Sequence, residues 1–132
     1  MWRKLKRLGV AQLGDGLVAL PADARTREQL EWVAEDVEQA GGSAMLWTAR
    51  PTSDQQQRQI AAEMAAARAA EYSAIREQAG TAMSGDDPGG ALRRLRAELR
   101  RVERRDYFPP PERRTARAAV DELATRAARE PA

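Results

Sequence analysis

The sequence predicts a small α+β domain whose C-terminal half is helical. Three patterns predict it: two short apolar runs joined by a Gly-Asp-Gly turn, helical spacing of apolar residues over about residues 26–40 and again over about residues 54–78, and a leucine-rich helix beyond residue 90. At 132 residues the chain has room for one compact domain. Aromatic residues make up only 5% of it, so we expect a thin core and some dependence on a partner or a second copy.

The first twenty residues predict a short basic helix and a hairpin. Trp2, Leu5 and Leu8 share one side of a helix that Gly9 ends as its C-cap. Residues 10–13 and 17–20 are apolar runs, and the Gly-Asp-Gly sequence between them supplies the positive φ of a tight turn. A two-stranded hairpin is expected here.

The middle of the chain predicts helix, strand and helix. Thr26 is expected to be the N-cap of an amphipathic helix, with Gln29 completing a capping box and Gly41-Gly42 ending the helix. Residues 44–49 are apolar on both alternate faces, which predicts a strand at 43–49 that is covered on both sides. Ser53 and Asp54 then offer capping chemistry for an alanine-rich helix that runs to about residue 78.

The C-terminal part predicts two helices after a break. We expect a core at 1–79, a flexible linker at 80–90 and a basic helical extension of the same domain at 91–132. The prolines at 109–111 separate the two helices of that extension. Its first helix carries an apolar seam at heptad-like spacing, made of Leu92, Leu95, Leu99 and Val102.

Composition excludes most catalytic chemistry. The chain has neither Cys nor His, which removes disulfides, the usual transition-metal ligands and every Ser-His or Cys-His nucleophile arrangement. No carboxylates are spaced as a cation site, and no segment approaches the roughly 18 apolar residues of a membrane helix. We therefore expect a cytoplasmic binding protein without catalytic residue, metal or cofactor.

Charge is strongly segregated although the net charge is only +2. Residues 1–9 carry +4, residues 10–90 carry −7 and residues 91–117 carry +6. A dense arginine helix suits phosphate groups, because guanidinium binds them in bidentate fashion. The candidate DNA or anion-binding residues are Arg93, Arg94, Arg96, Arg100, Arg101, Arg104 and Arg105, joined by Arg3, Lys4, Lys6 and Arg7.

Two other interpretations of these segments stay open. The arginines could instead pair with the acidic helix at residues 28–38 and hold the C-terminal helices onto the domain. Alternatively, the Leu92, Leu95, Leu99 and Val102 seam could dock on a partner helix or on a second copy, which would make the chain a protein-interaction or oligomerisation module.

Several strings together resemble the N-terminal domain of the ChrB chromate-resistance regulators. They are residues 2–9 (WRKLKRLG), Asp15-Gly16 followed by residues 18–21, Glu31-Trp32 leading to residues 38–42, and residues 105–109 (RDYFP). The resemblance implies a ferredoxin-like core and a DNA-binding role in transcription regulation of chromate resistance. It carries over no catalytic residue.

The resemblance also implies a strand before the first helix, which this sequence lacks. We therefore expect a ferredoxin-like-derived antiparallel sheet without its first strand. Residues 43–49 would then pair with the hairpin, borrow a strand from a second subunit in a homodimer, or leave an edge exposed. Chromate, a dianion, is a candidate ligand of the arginine cluster on charge alone.

Overall fold

The computed structural model describes residues 1–129, which form five helices and one two-stranded antiparallel sheet. In chain order these are α1 (Trp2–Leu8), β1 (Ala11–Gly14), β2 (Leu17–Ala19), α2 (Ala24–Gln39), α3 (Asp54–Ala82), α4 (Pro88–Arg104) and α5 (Glu112–Ala128). The α+β class predicted from the sequence is confirmed.

The chain divides into two compact units, Met1–Met64 and Ala65–Ala132, here called the N-terminal and C-terminal units. The boundary lies within α3 rather than in a loop. Helices also occupy residues 80–82 and 88–90 of the predicted linker, so the connection between α3 and α4 comprises only residues 83–87.

The hairpin of the N-terminal unit forms as predicted. β1 and β2 pair in antiparallel register, with an irregularity between Gln12 and Gly14. Gly16 adopts φ 74° in the turn, and Gly9 adopts φ 75° at the end of α1. Both conformations favour glycine, because a side chain would crowd the backbone there.

Helix α2 begins earlier than predicted, and the assignment of Thr26 as its N-cap is wrong. Asp23 is the cap: its Oδ1 accepts a hydrogen bond from the Thr26 amide at 2.8 Å. The Thr26 hydroxyl completes the capping box by accepting from the Asp23 amide at 3.1 Å, and it donates to the Pro21 carbonyl at 2.6 Å. Thr26 is therefore the third helical residue of the capping box, the position that the prediction gave to Gln29.

The predicted end of α2 is confirmed. Gly41, with φ 90°, donates to the Glu38 carbonyl, and Gly42 donates to the Val37 carbonyl at 2.9 Å. These two bonds form a Schellman motif, which stops the helix and satisfies its last carbonyls.

The predicted strand at residues 43–49 is wrong. These residues have no regular secondary structure and all are exposed. A strand requires a hydrogen-bonded neighbour, and the sheet of the described residues consists of β1 and β2 alone. A run that is apolar on both faces fits a covered strand, but it does not supply the hydrogen-bonded neighbour that would form one.

The C-terminal unit holds the main hydrophobic core. It is built where the second half of α3, α4 and α5 pack together, with Tyr72, Leu95, Val102 and Leu123 completely or almost completely buried. The whole buried cluster is Tyr72, Ile75, Ala79, Leu92, Leu95, Leu99, Val102, Ala116, Val120 and Leu123.

The N-terminal unit buries far less. Ala11 and Met64 are the buried apolar residues of this unit. Thr26 is its one buried polar residue, and all residues of the unit are described. Eight of its large apolar side chains are exposed: Met1, Trp2, Leu13, Leu17, Trp32, Met45, Leu46 and Trp47.

Candidate anion-binding surface

Local sequence explains why α4 is a stable helix with a cationic exterior. The Asp87 carboxylate caps its N-terminus by accepting from the Gly90 amide at 3.0 Å, and Pro88 occupies the first turn. Proline is tolerated there because that amide would have no partner within the helix. Leucines and Val102 face the core, so the arginines between them point outward or sideways.

An outer row of arginines follows one side of α4. Arg93, Arg96, Arg100 and Arg104 recur at spacings of three or four residues and are exposed. At 1.5 Å rise per residue the row extends about 16 Å along the helix. The side chains of Arg93, Arg96 and Arg100 have no hydrogen bond or ion pair within residues 1–129. Arg93, Arg96 and Arg100 therefore offer unneutralised guanidinium groups on a rigid element.

An inner row lines a groove between α3 and α4. The groove has a volume of about 430 Å³, and its polar lining consists of Glu71, Gln78, Arg94, Glu98, Arg101 and Arg105. Arg94 donates to the Gln78 amide oxygen at 3.1 Å, and Arg101 pairs with Glu98 at 2.6 Å. These side chains already have protein partners, so they are less available to a ligand than the outer row.

Arg105 is the least exposed of the seven predicted arginines of α4 and its C-cap. It pairs with Glu71, whose Oε2 accepts from the Arg105 Nε at 3.0 Å, and Glu71 also pairs with Arg68 at 2.5 Å. The side chain of Arg105 is only 17% exposed. Its position favours a structural role at the end of α4.

The four predicted cations of α1 lie in the N-terminal unit. Arg3, Lys4, Lys6 and Arg7 are all exposed. Lys4 forms an ion pair with Asp36 of α2, and the Lys6 ammonium lies 5.7 Å from the centre of the Trp2 ring. The basic residues predicted from the sequence thus divide into two sets, one in each unit.

The apolar seam is not available for docking. Leu95 and Val102 are fully buried, and Leu92 and Leu99 are each 9% exposed within the core of the C-terminal unit. Heptad-like spacing predicts a buried seam equally well whether the facing helix belongs to the same chain or to another. Here α5 and α3 supply the facing side chains.

The sequence interpretation missed a buried polar cluster at the end of α4. The Tyr72 hydroxyl donates to Asp106 Oδ2 at 2.7 Å, and that carboxylate is fully buried. Burial, reinforced by this hydrogen bond, raises the pKa of Tyr72 above its usual value. Arg113 lies 3.9 Å from the same oxygen and pairs with Glu103 at 2.9 Å.

One signal could have pointed to this cluster. Tyr72 is the single aromatic residue of α3, in an otherwise alanine-rich helix. A buried tyrosine hydroxyl requires a polar partner, and Asp106 directly follows the basic helix.

The family described as Protein ChrB, N-terminal, matches residues 1–84. The chain belongs to this family. The resemblance inferred from the sequence is confirmed, and membership of the ChrB N-terminal family associates the chain with chromate resistance. Comparison with curated proteins gives no match, and comparison with solved structures gives none.

The ChrB match ends at Ser84, before α4 begins. It therefore covers α1, the hairpin, α2 and α3, while the outer arginine row and residues 105–109 lie beyond it. Within residues 1–129, no group of three His, Cys, Asp or Glu side chains is placed to hold a metal ion. In the same part of this ChrB-family chain, no helix combines the length and apolar character needed to cross a bilayer.

Proposed function

We propose that this chain is a DNA-binding regulatory module of chromate resistance that contacts phosphates through the outer arginine row of α4. The observation that carries the proposal is that Arg93, Arg96 and Arg100 are exposed and have no protein partner within residues 1–129. Family membership supports the link to chromate resistance, and the charge of α4 supports the link to nucleic acid.

The packing of α4 supports this use of its outer side. Because Leu95, Leu99 and Val102 anchor the helix in the core, the outer arginines are held at fixed spacing. A rigid helix loses less entropy when its side chains bind phosphates than a mobile segment would. The N-terminus of α4 is not part of the surface, because the Asp87 carboxylate caps it.

Such contacts give affinity more than specificity. Phosphate contacts fix the position of a protein on the duplex, while base edges carry the sequence information. The exposed cations of α1 are a second basic set that can contribute phosphate contacts. We propose a module that works by binding in the cytoplasm, with no catalytic step of its own.

Fluorescence anisotropy across a salt series tests the proposal. The protein is titrated with DNA from upstream of its own coding sequence and with a scrambled control of equal length. We expect tighter binding to the upstream DNA and a steep salt dependence, with a slope of about −0.9 for each phosphate neutralised. No binding to either DNA at low salt would contradict the proposal.

A matched pair of double variants locates the contact surface. Arg96→Ala with Arg100→Ala removes two charges from the outer row, and Arg94→Ala with Arg101→Ala removes two from the groove. We expect the outer variant to reduce the salt slope by about two and the groove variant to change it little. Equal losses in both variants would show that only the total charge of α4 matters.

A further inference from the structure

The segment of residues 43–49, here called the unpaired segment, is strand-like in sequence but has no partner. It lies between the Schellman motif that ends α2 and the Ser53 cap of α3, whose Oγ accepts from the Gln56 amide at 3.2 Å. Its large side chains are highly exposed, with Met45 at 74% and Trp47 at 78%. No residue of it forms a hydrogen bond within residues 1–129.

The hairpin of β1 and β2 lacks neighbouring strands, as the unpaired segment does. Because the sheet has two strands, β1 and β2 each have one paired edge and one edge without a strand partner within residues 1–129. Isolated two-stranded hairpins are marginal in water, and open edges attract further strands. Leu13 and Leu17 are 45% and 54% exposed beside the turn. The hairpin is therefore an acceptor for an additional strand.

Neither element carries the features that protect edges from pairing. Soluble proteins usually place charged residues or prolines on exposed strands to prevent association. Residues 43–49 (SAMLWTA), β1 (AQLG) and β2 (LVA) contain no charged residue and no proline. Pairing between them meets no electrostatic repulsion and would cover the adjacent large apolar side chains Met45, Leu46 and Trp47.

A second copy is the occupant that satisfies both deficiencies at once. Each chain carries one strand donor, residues 43–49, and one strand acceptor, the hairpin. A two-fold symmetric dimer pairs each donor with the opposite acceptor, so both copies are completed by the same contact. An unrelated partner would need to supply a strand and accept one as well.

We propose that this chain forms a homodimer in which residues 43–49 of each copy add a β-strand to the hairpin of the other. The length is sufficient, because seven extended residues span about 23 Å and the four residues of β1 about 13 Å. This proposal does not rest on DNA binding, and its tests are made without DNA.

Sedimentation velocity of the full chain tests the association. We expect the unmodified protein to be a dimer that dissociates on dilution, and Leu46→Pro to be a monomer at every concentration. Proline removes a backbone donor from the added strand. Because Leu46 lies in no helix or strand of the single chain, the far-UV circular dichroism of the monomer is expected to be unchanged.

Two variants that each replace an aromatic residue with lysine distinguish strand addition from nonspecific hydrophobic association. Trp47→Lys and Phe108→Lys each replace an exposed aromatic residue with a charge, the first in the unpaired segment and the second in the C-terminal unit. We expect only Trp47→Lys to abolish the dimer. A monomeric unmodified protein, or a dimer that survives Leu46→Pro, would overturn the proposal.

Amide hydrogen exchange identifies the paired backbone. Above the dissociation constant we expect protection of residues 44–48 and of the hairpin, and we expect both to lose it on dilution. In Leu46→Pro the same amides should exchange rapidly at all concentrations. A stable dimer whose residues 44–48 exchange as fast as those of the variant would refute strand exchange.

Discussion

The two units of this chain handle their apolar residues in opposite ways. The C-terminal unit encloses leucines, valines and Tyr72 within three helices, and Phe108 is its one large apolar side chain that is described as exposed. The N-terminal unit leaves three tryptophans and several leucines exposed. The C-terminal unit therefore buries most of its large apolar side chains within the single chain, while the N-terminal unit leaves an exposed apolar surface of the kind that we propose is covered by a second copy.

The family match and the outer arginine row also lie in different parts of the chain. The ChrB N-terminal match covers the whole N-terminal unit and ends at Ser84, before α4. The outer arginine row belongs to the complete C-terminal unit. The part of the chain that defines the family is thus the part proposed to associate, and the part beyond the match is the one proposed to contact DNA.

The largest expected effect comes from opening the core of the C-terminal unit. Leu95 is fully buried, so Leu95→Ala should lower the free energy of unfolding by about 3 kcal/mol, from lost burial and the cavity left behind. Trp47→Ala, by contrast, should change the stability of the monomer by less than about 0.5 kcal/mol, since Trp47 is 78% exposed.

Urea denaturation followed by two probes checks this contrast. Trp2, Trp32 and Trp47 all lie in the N-terminal unit, so tryptophan fluorescence reports on that unit, while far-UV circular dichroism reports on the helices. We expect Leu95→Ala to shift the circular dichroism transition strongly. Equal shifts for Leu95→Ala and Trp47→Ala would remove the distinction between the two units.

An intermediate effect is expected from the buried Tyr72–Asp106 pair. Tyr72→Phe leaves a fully buried carboxylate without its hydroxyl donor, which should cost about 1–3 kcal/mol of unfolding free energy at neutral pH. Leu92→Val, a small change in the same core without a lost hydrogen bond, serves as the control. A cost no greater than that of Leu92→Val would show that Tyr72 contributes only its ring.

Alkaline pH provides a second test of Tyr72. Because the folded-state pKa of Tyr72 is raised above its ordinary value of 10.0, the folded protein holds this proton more tightly than the unfolded chain does. The stabilisation that Tyr72 gives the folded state is fully present below its ordinary pKa and is lost as pH rises toward its folded-state pKa. Unfolding measured at neutral pH and above pH 10 should therefore show a steeper loss in the unmodified protein than in Tyr72→Phe.

Periodicity and turn chemistry predicted most of the helices and the hairpin, because these depend on nearby residues. Gly9 and Gly16 have the positive φ that their positions require, and the seam of α4 is buried as its spacing indicates. The prediction of a strand at residues 43–49 was wrong because a strand depends on a hydrogen-bonded neighbouring strand, which no local pattern supplies.

The sequence predicted which arginines belong to the basic helix, but not which of them have protein partners and which are left exposed and unpaired. The sequence placed seven arginines on or next to one helix, and only the fold shows which of them meet acidic or amide partners on α3 and α4. Arg105 pairs with Glu71 from 34 positions away, a separation that no sequence spacing rule covers. The choice of Arg93, Arg96 and Arg100 as the exposed, unpaired set therefore required the structure.

A smaller effect than that of Tyr72→Phe is expected at the capping box of the N-terminal unit. Thr26→Ala removes the hydroxyl that bonds to the Asp23 amide and the Pro21 carbonyl, which should cost about 1 kcal/mol of unfolding free energy. Tryptophan fluorescence should detect the shift, because the lost bonds lie in the unit that holds all three tryptophans. Thr52→Ala, which removes an exposed hydroxyl from the same unit, is the control and should have a smaller effect.

Acid pH tests the other half of that capping box. The hydrogen bond from the Thr26 amide lowers the pKa of Asp23 below its ordinary value, so the folded state favours the charged carboxylate. The resulting stabilisation is present above the ordinary pKa and is lost as pH falls through the lower folded value. The fluorescence-detected transition should therefore weaken on acidification more in the unmodified protein than in Asp23→Asn, whose amide oxygen also caps a helix but does not titrate. An identical acid response in the two proteins would mean that the charge of Asp23 adds nothing to its cap, and α2 would then depend on hydrogen-bond geometry alone.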